Sequence, residues 1–117
     1  MNNKLKVEVL MYKKISSNEK ITRKVNEQHC IDNYLTKEIT ESMSLSIAKL
    51  NGELKTEKSK NERGYYFIKA KVKFIIDGEK VIIKDGDVLY IQNDTDYSAK
   101  GMFQSVIVNT PAYGVLK

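Results

Sequence analysis

The chain has 117 residues, of which 41% are hydrophobic and 30% charged, and a formal net charge of +5. A chain this long buries about two-thirds of its unfolded surface as one domain, and its balance of apolar and charged residues excludes intrinsic disorder. No apolar run exceeds four residues; a membrane-spanning helix takes about twenty, and the first dozen residues lack a signal peptide's apolar centre, so 1–117 reads as one cytoplasmic domain without a membrane partner.

Lys4-Leu5-Lys6-Val7-Glu8-Val9 alternates polar and apolar residues, which predicts a half-buried strand. It heads a set of N-terminal strands over 1–41 and can pair with a partner's edge, giving the expected homodimer, or cap the edge of its own sheet. Between Glu19 and Thr40, the weak helix formers Ile, Val, Thr and Asn favour short strands with room for a helical turn. His29 and Cys30 fall here, the sole histidine and cysteine. One cysteine makes neither a disulfide framework nor a thiolate cluster. Neighbours on a strand point to opposite faces, so the two are poorly placed as nucleophile and base. Structural or surface roles are expected for both.

Ser42 to Leu50 alternates again, and Asn51-Gly52 reads as a turn closing that strand. Glu53 to Gly64 is polar and without apolar period, a loop or an exposed strand. Strands follow at Tyr65–Ile68 and Val72–Ile76, with Asp77-Gly78 as the hairpin turn into Val81–Ile83. Lys69, Lys71 and Lys73 mark an exposed strand face. Asp85-Gly86 turns into Val88–Ile91, Asn93 to Asp96 makes a polar turn, and Phe103 to Val108 is a last strand stopped by Pro111. Short strands between regular turns predict an all-β barrel or sandwich with under about a fifth of the chain helical. Its expected core includes Val72, Phe74, Ile76, Val88, Tyr90, Phe103 and Ile107.

The basic excess lies before residue 65, where thirteen Lys or Arg oppose nine acids; beyond it seven oppose six. Lysines mixed among acids make a solvated surface more readily than a phosphate-tracking stripe. Nucleic-acid binding is therefore the weakest functional reading.

Over 64–111 the order of segments resembles the cupin superfamily. Gly64 to Ala70 is similar to the aromatic strand that ends the first cupin motif, and Lys84 to Ile91 to the Gly-Asp-hydrophobic run that opens the second. Phe103 to Pro111 is similar to the closing strand with its Asn-x-Pro ending. In the second motif, G-x5-P-x-G-x2-H-x3-N, Gly86 fits. Gln92, Asp94, Tyr97 and Gly101 stand for the proline, glycine, histidine and asparagine. The first motif, G-x5-H-x-H-x3-4-E-x6-G, ends on Ala70; counting back puts Arg63 at the glutamate and Thr56 and Lys58 at the histidines, or Glu57 and Ser59 with the shorter spacing.

The resemblance implies a cupin-like antiparallel barrel or double-stranded jelly roll whose usual metal ligands are all replaced. A permanently cationic Arg63 cannot coordinate a metal, and with Lys58 it suits an anion instead: a carboxylate, a phosphate or a sugar derivative. No cofactor is expected. Thr56, Lys58, Arg63, Tyr65 and Tyr97 form the expected ligand site. Two readings stay open for Tyr97, ligand contact or a plug in the barrel mouth, while Tyr65 and Phe67 read more readily as barrel filling. The expected function is a non-enzymatic, metal-free cupin-like domain that binds a small anionic or polar ligand or serves as an interaction module. The alternative is a metal-independent sugar or sugar-nucleotide isomerase or epimerase, for which the sequence shows no evident general base.

Overall fold

The computed structural model describes residues 11–115, in which seven strands follow one 3-10 turn at Ser17–Glu19. They are β1 (Ile21–Asn26), β2 (His29–Leu35), β3 (Ser44–Lys58), β4 (Glu62–Ile76), β5 (Glu79–Lys84), β6 (Val88–Ile91) and β7 (Asp96–Thr110). All pairs are antiparallel, in the order β1-β2-β3-β7-β4-β5, and β6 runs beside the first part of β4. The strand expected at Lys4–Val9 lies outside the described residues. Among the described residues no helix is long and apolar enough to cross a membrane.

Each of β3, β4 and β7 is 15 residues long, about 50 Å if straight. They are not straight. Gly52 and Gly101 face each other in the β3–β7 register, both with positive φ (153° and 138°). A Cβ on Gly101 would sit 2.7 Å from the Val72 Cα and nearer still to the Lys71 carbonyl oxygen. Glycine is therefore required where β7 creases against β4. The turn expected at Asn51-Gly52 is instead this crease inside a continuous β3. On one side of it lie β1, β2 and β6 with half of each long strand; on the other lies β5 with the remaining halves. The two half-sheets face each other in an all-β, cupin-type jelly roll.

Between them sits the core. Tyr65, Phe67, Phe74, Tyr97 and Phe103 pack with ring centroids 5.3–6.5 Å apart in stacked and edge-on pairs. Strand β4 reaches this core twice with opposite phase. Arg63, Tyr65 and Phe67 point inward, a bulge between Phe67 and Lys69 inserts Ile68, and Ala70, Val72 and Phe74 then point inward. The Asp85 carboxylate accepts the Ala70 N–H at 2.7 Å and so holds the bulge. At the end of β4, Asp77 and Gly78 (φ 51° and 83°) form the expected hairpin turn.

Two expected core residues are on the wrong face. Val88 and Tyr90 are 71% and 59% exposed, whereas Ile91 is buried and Leu89 packs against the core. All four residues of β6 are apolar, so their pattern carries no phase. The turn supplies it. Gly86 N–H donates to the Phe67 carbonyl at 2.7 Å and Phe67 N–H to the Asp87 carbonyl at 2.9 Å, fixing the register that turns Leu89 and Ile91 inward.

Candidate functional site

The barrel mouth is built from the two ends of β7. Asn109, near its end, pairs in register with Arg63 on β4, and Tyr97, near its start, pairs with Glu57 on β3. The crease brings both ends to the same guanidinium. Arg63 Nε donates to Asn109 Oδ1 at 2.7 Å, and Arg63 Nη1 donates to the Tyr97 hydroxyl. That hydroxyl in turn donates to Glu57 Oε1 at 3.2 Å, and the guanidinium carbon lies 5.8 Å from the Tyr97 ring centroid. Glu57 reaches this face because the β3–β7 register shifts between Leu54 and Glu57. The loop before Arg63 is pinned: Asp94 N–H donates to the Ser59 carbonyl, Ser59 Oγ to the Asn61 carbonyl, and Asn61 Nδ2 to the Pro111 carbonyl.

Behind this network lies a cavity of about 110 Å³, whose polar lining includes Arg23, His29, Ser46, Glu57, Arg63 and Asn109. In front of it opens a groove of about 490 Å³ lined by Lys58, Lys60 and Tyr113 as well as Glu57, Arg63 and Tyr97. The Arg63–Tyr97 pair stands between the two spaces. Cationic groups exceed carboxylates in both.

Burial alone would lower the Arg63 pKa, but Tyr65, Tyr97 and Glu57 around it raise it overall, so the charge is held. Burial, then the neighbouring Tyr65, pushes the Tyr97 phenol far up against the opposing charge of Arg63, and the hydroxyl stays protonated. His29 is pushed below its ordinary value by burial, with Glu57 opposing and Arg23 adding to the shift, which favours a neutral imidazole at neutral pH.

Of the expected site residues, the fold brings Arg63, Tyr65 and Tyr97 to the cavity wall and Lys58 to the outer groove, where it pairs with Asp96 at 3.3 Å. Thr56 is exposed and lines neither space. Tyr97 both packs and bonds: it is 2% exposed and stacks on Phe74, while its hydroxyl joins the polar network. Sequence reasoning left three members out. Glu57 arose only under the shorter motif spacing, and Asn109 only as part of a closing signature. His29 lies outside both motifs; its strand alternation was the available signal, since His29 faces in opposite Leu50 and Cys30 faces out opposite Lys49.

The cupin fold commonly implies a metal, and this donor set does not fit one. Among the described residues no three His, Cys, Asp or Glu side chains converge. His29 and Glu57 line one cavity, but a guanidinium stands where a further ligand is needed.

No family model matches the sequence, and no curated protein matches it either. Solved structures do share the fold. KdgF from Halomonas sp. superposes with a TM-score of 0.75 at 13% identity, covering 89% of this chain and 97% of its own. An RmlC-like cupin from Shewanella frigidimarina gives 0.74 at 11% identity, with coverages of 88% and 95%. The nucleoside dehydratase Pac13 gives 0.76 at 14% identity, with coverages of 89% and 86%, and a tyrosine-to-phenylalanine variant from Streptomyces was solved with uridine. At these identities the likeness is one of fold.

Proposed function

We propose that this small cupin-fold domain binds, without a metal, a compact ligand bearing a carboxylate or phosphate, with the anionic head against Arg63. One observation carries the reading. The half-buried guanidinium is bonded to the neutral oxygens of Asn109 and Tyr97, and among the described residues no carboxylate forms an ion pair with it. With its direct partners neutral and the one nearby carboxylate, Glu57, bonded to the Tyr97 hydroxyl instead, the guanidinium can still make a charge-assisted bond to an anion. The inner cavity is too small for a nucleotide, so the head enters there and the remainder lies in the outer groove beside Lys58 and Lys60.

The test is a thermal-shift screen of sugar phosphates and small hydroxy-carboxylates, followed by calorimetric titration. A ligand that raises the melting temperature of the wild type is expected to bind Arg63→Ala about 10- to 100-fold more weakly, the loss of one charge-assisted hydrogen bond. Equal binding by both proteins removes Arg63 from the site.

A second reading is favoured by His29. A neutral imidazole inside the cavity supplies the base that the sequence alone did not reveal, with the Tyr97 hydroxyl as a proton donor in the same mouth. That arrangement suits a metal-independent isomerase or epimerase of a sugar or sugar nucleotide. Its signature is deuterium wash-in from heavy water at a sugar carbon, seen by NMR and lost in His29→Asn.

A further inference from the structure

Strand β3 runs against its own apolarity. Ser44, Ser46 and Ala48 face the interior, while Leu45 and Ile47 face out. A shift of one residue would exchange the two sets and bury the leucine and isoleucine. Pairing with β7 fixes the opposite phase, Ser44 against Asn109 and Ser46 against Ile107. The result is a polar floor inside the barrel. Arg63, Asn109 and Ser44 stand side by side on one rung, and Ser46 and Asn33 on the next.

The buried polar side chains divide by place. Away from the inner cavity each donates within the protein: Ser59 Oγ to the Asn61 carbonyl, Asn61 Nδ2 to the Pro111 carbonyl and Ser105 Oγ to the Tyr66 carbonyl. The three that line the cavity, Ser44, Ser46 and Asn109, are 6%, 9% and 4% exposed, and each keeps a donor without an acceptor among the described residues. Ser44 Oγ accepts the Tyr113 N–H, so its own proton is left to give. Asn109 Oδ1 faces the guanidinium, which only donates, so the amide NH2 is left. Asn33 Nδ2 donates to the Ile21 carbonyl at 3.3 Å, leaving Asn33 Oδ1 as an acceptor on the same floor. Buried polar groups are overwhelmingly hydrogen-bonded, and leaving them bare is costly. Three spare donors on one cavity therefore call for an oxygen-rich occupant.

Size narrows that occupant. A cavity of about 150 Å³ admits a benzene ring, so one of about 110 Å³ holds about five non-hydrogen atoms. A phosphate with its ester oxygen fills that space alone, whereas a carboxylate leaves room for the neighbouring carbon and its hydroxyl. We infer that the cavity takes an α-hydroxycarboxylate unit, its carboxylate against Arg63 and its hydroxyl on the floor made by Ser44, Ser46 and Asn109. The inference rests on the anion-binding reading of Arg63 and narrows it to one ligand class.

NMR titration with glycolate and with propionate, in which a methyl group replaces the hydroxyl, tests it. Glycolate is expected to bind the wild type at least about 10-fold more tightly than propionate. Ser46→Ala is expected to weaken glycolate about 5- to 10-fold and leave propionate unchanged. Its melting temperature is expected to stay at or above that of the wild type, because the lost hydroxyl bonds nothing else among the described residues. Glycolate and propionate binding alike, with both lost in Arg63→Ala, leaves the Arg63 reading in place and overturns the hydroxyl assignment. Inorganic phosphate binding more tightly than glycolate overturns the choice of carboxylate. A Ser46→Ala variant that keeps the preference for glycolate, or that melts below the wild type, makes Ser46 structural and overturns the inference. A cavity that takes neither acid nor phosphate, and so holds water only, overturns it together with the Arg63 reading.

Discussion

Tyr97 joins the core to the site, and two substitutions separate its contributions. Tyr97→Phe keeps the ring on Phe74 and removes the hydroxyl that links Arg63 to Glu57. Hydrogen bonds to charged groups contribute about 1.5–3 kcal/mol each, but the open groove lets water reach both partners again, so a net loss of about 1–2 kcal/mol is expected. For a domain of this size that lowers the melting temperature by about 4–8 °C. Tyr97→Ala also empties the ring's volume at a site 2% exposed, and about 3–5 kcal/mol is expected, as for other buried aromatic truncations. Urea unfolding measures both, with unchanged m-values showing that the same surface is exposed on unfolding. A Tyr97→Phe variant within about 0.5 kcal/mol of the wild type refutes a stabilising hydroxyl network. An alanine variant no worse than the phenylalanine variant refutes the packing argument.

Two further outcomes follow from the geometry. His29 has a folded pKa below its ordinary 6.5, so the unfolded chain takes up the proton first as pH falls; stability is fully present above about 6.5 and declines below it, and melting temperatures from pH 7.5 to 5 are expected to fall less steeply in His29→Asn. Gly101→Ala forces a Cβ against the β4 backbone at positive φ, and a loss of about 2–4 kcal/mol by urea unfolding is expected, where the same change at open Gly64 costs under about 1 kcal/mol.

Much of this molecule was legible in one dimension. Alternation placed Phe74, Phe103 and Ile107 in the core and Lys71 outside, because strand side chains repeat every two residues whatever surrounds them. Asp77-Gly78 named its hairpin because few residues accept two consecutive positive φ angles. The motif comparison brought Arg63 and Tyr97 to one mouth although 34 residues separate them. Phase and crease were not legible. Val88 to Ile91 is apolar throughout, so only the docking of the Gly86 turn on Phe67 decided which pair faced inward. Gly52 and Gly101 read as a turn and a degenerate motif position until their strands were paired, because a close approach involves two distant segments. His29 entered the site for the same reason: its own strand set which way it faces, and only the curl of the whole sheet set what it faces, beside Glu57 and Arg23 in one cavity.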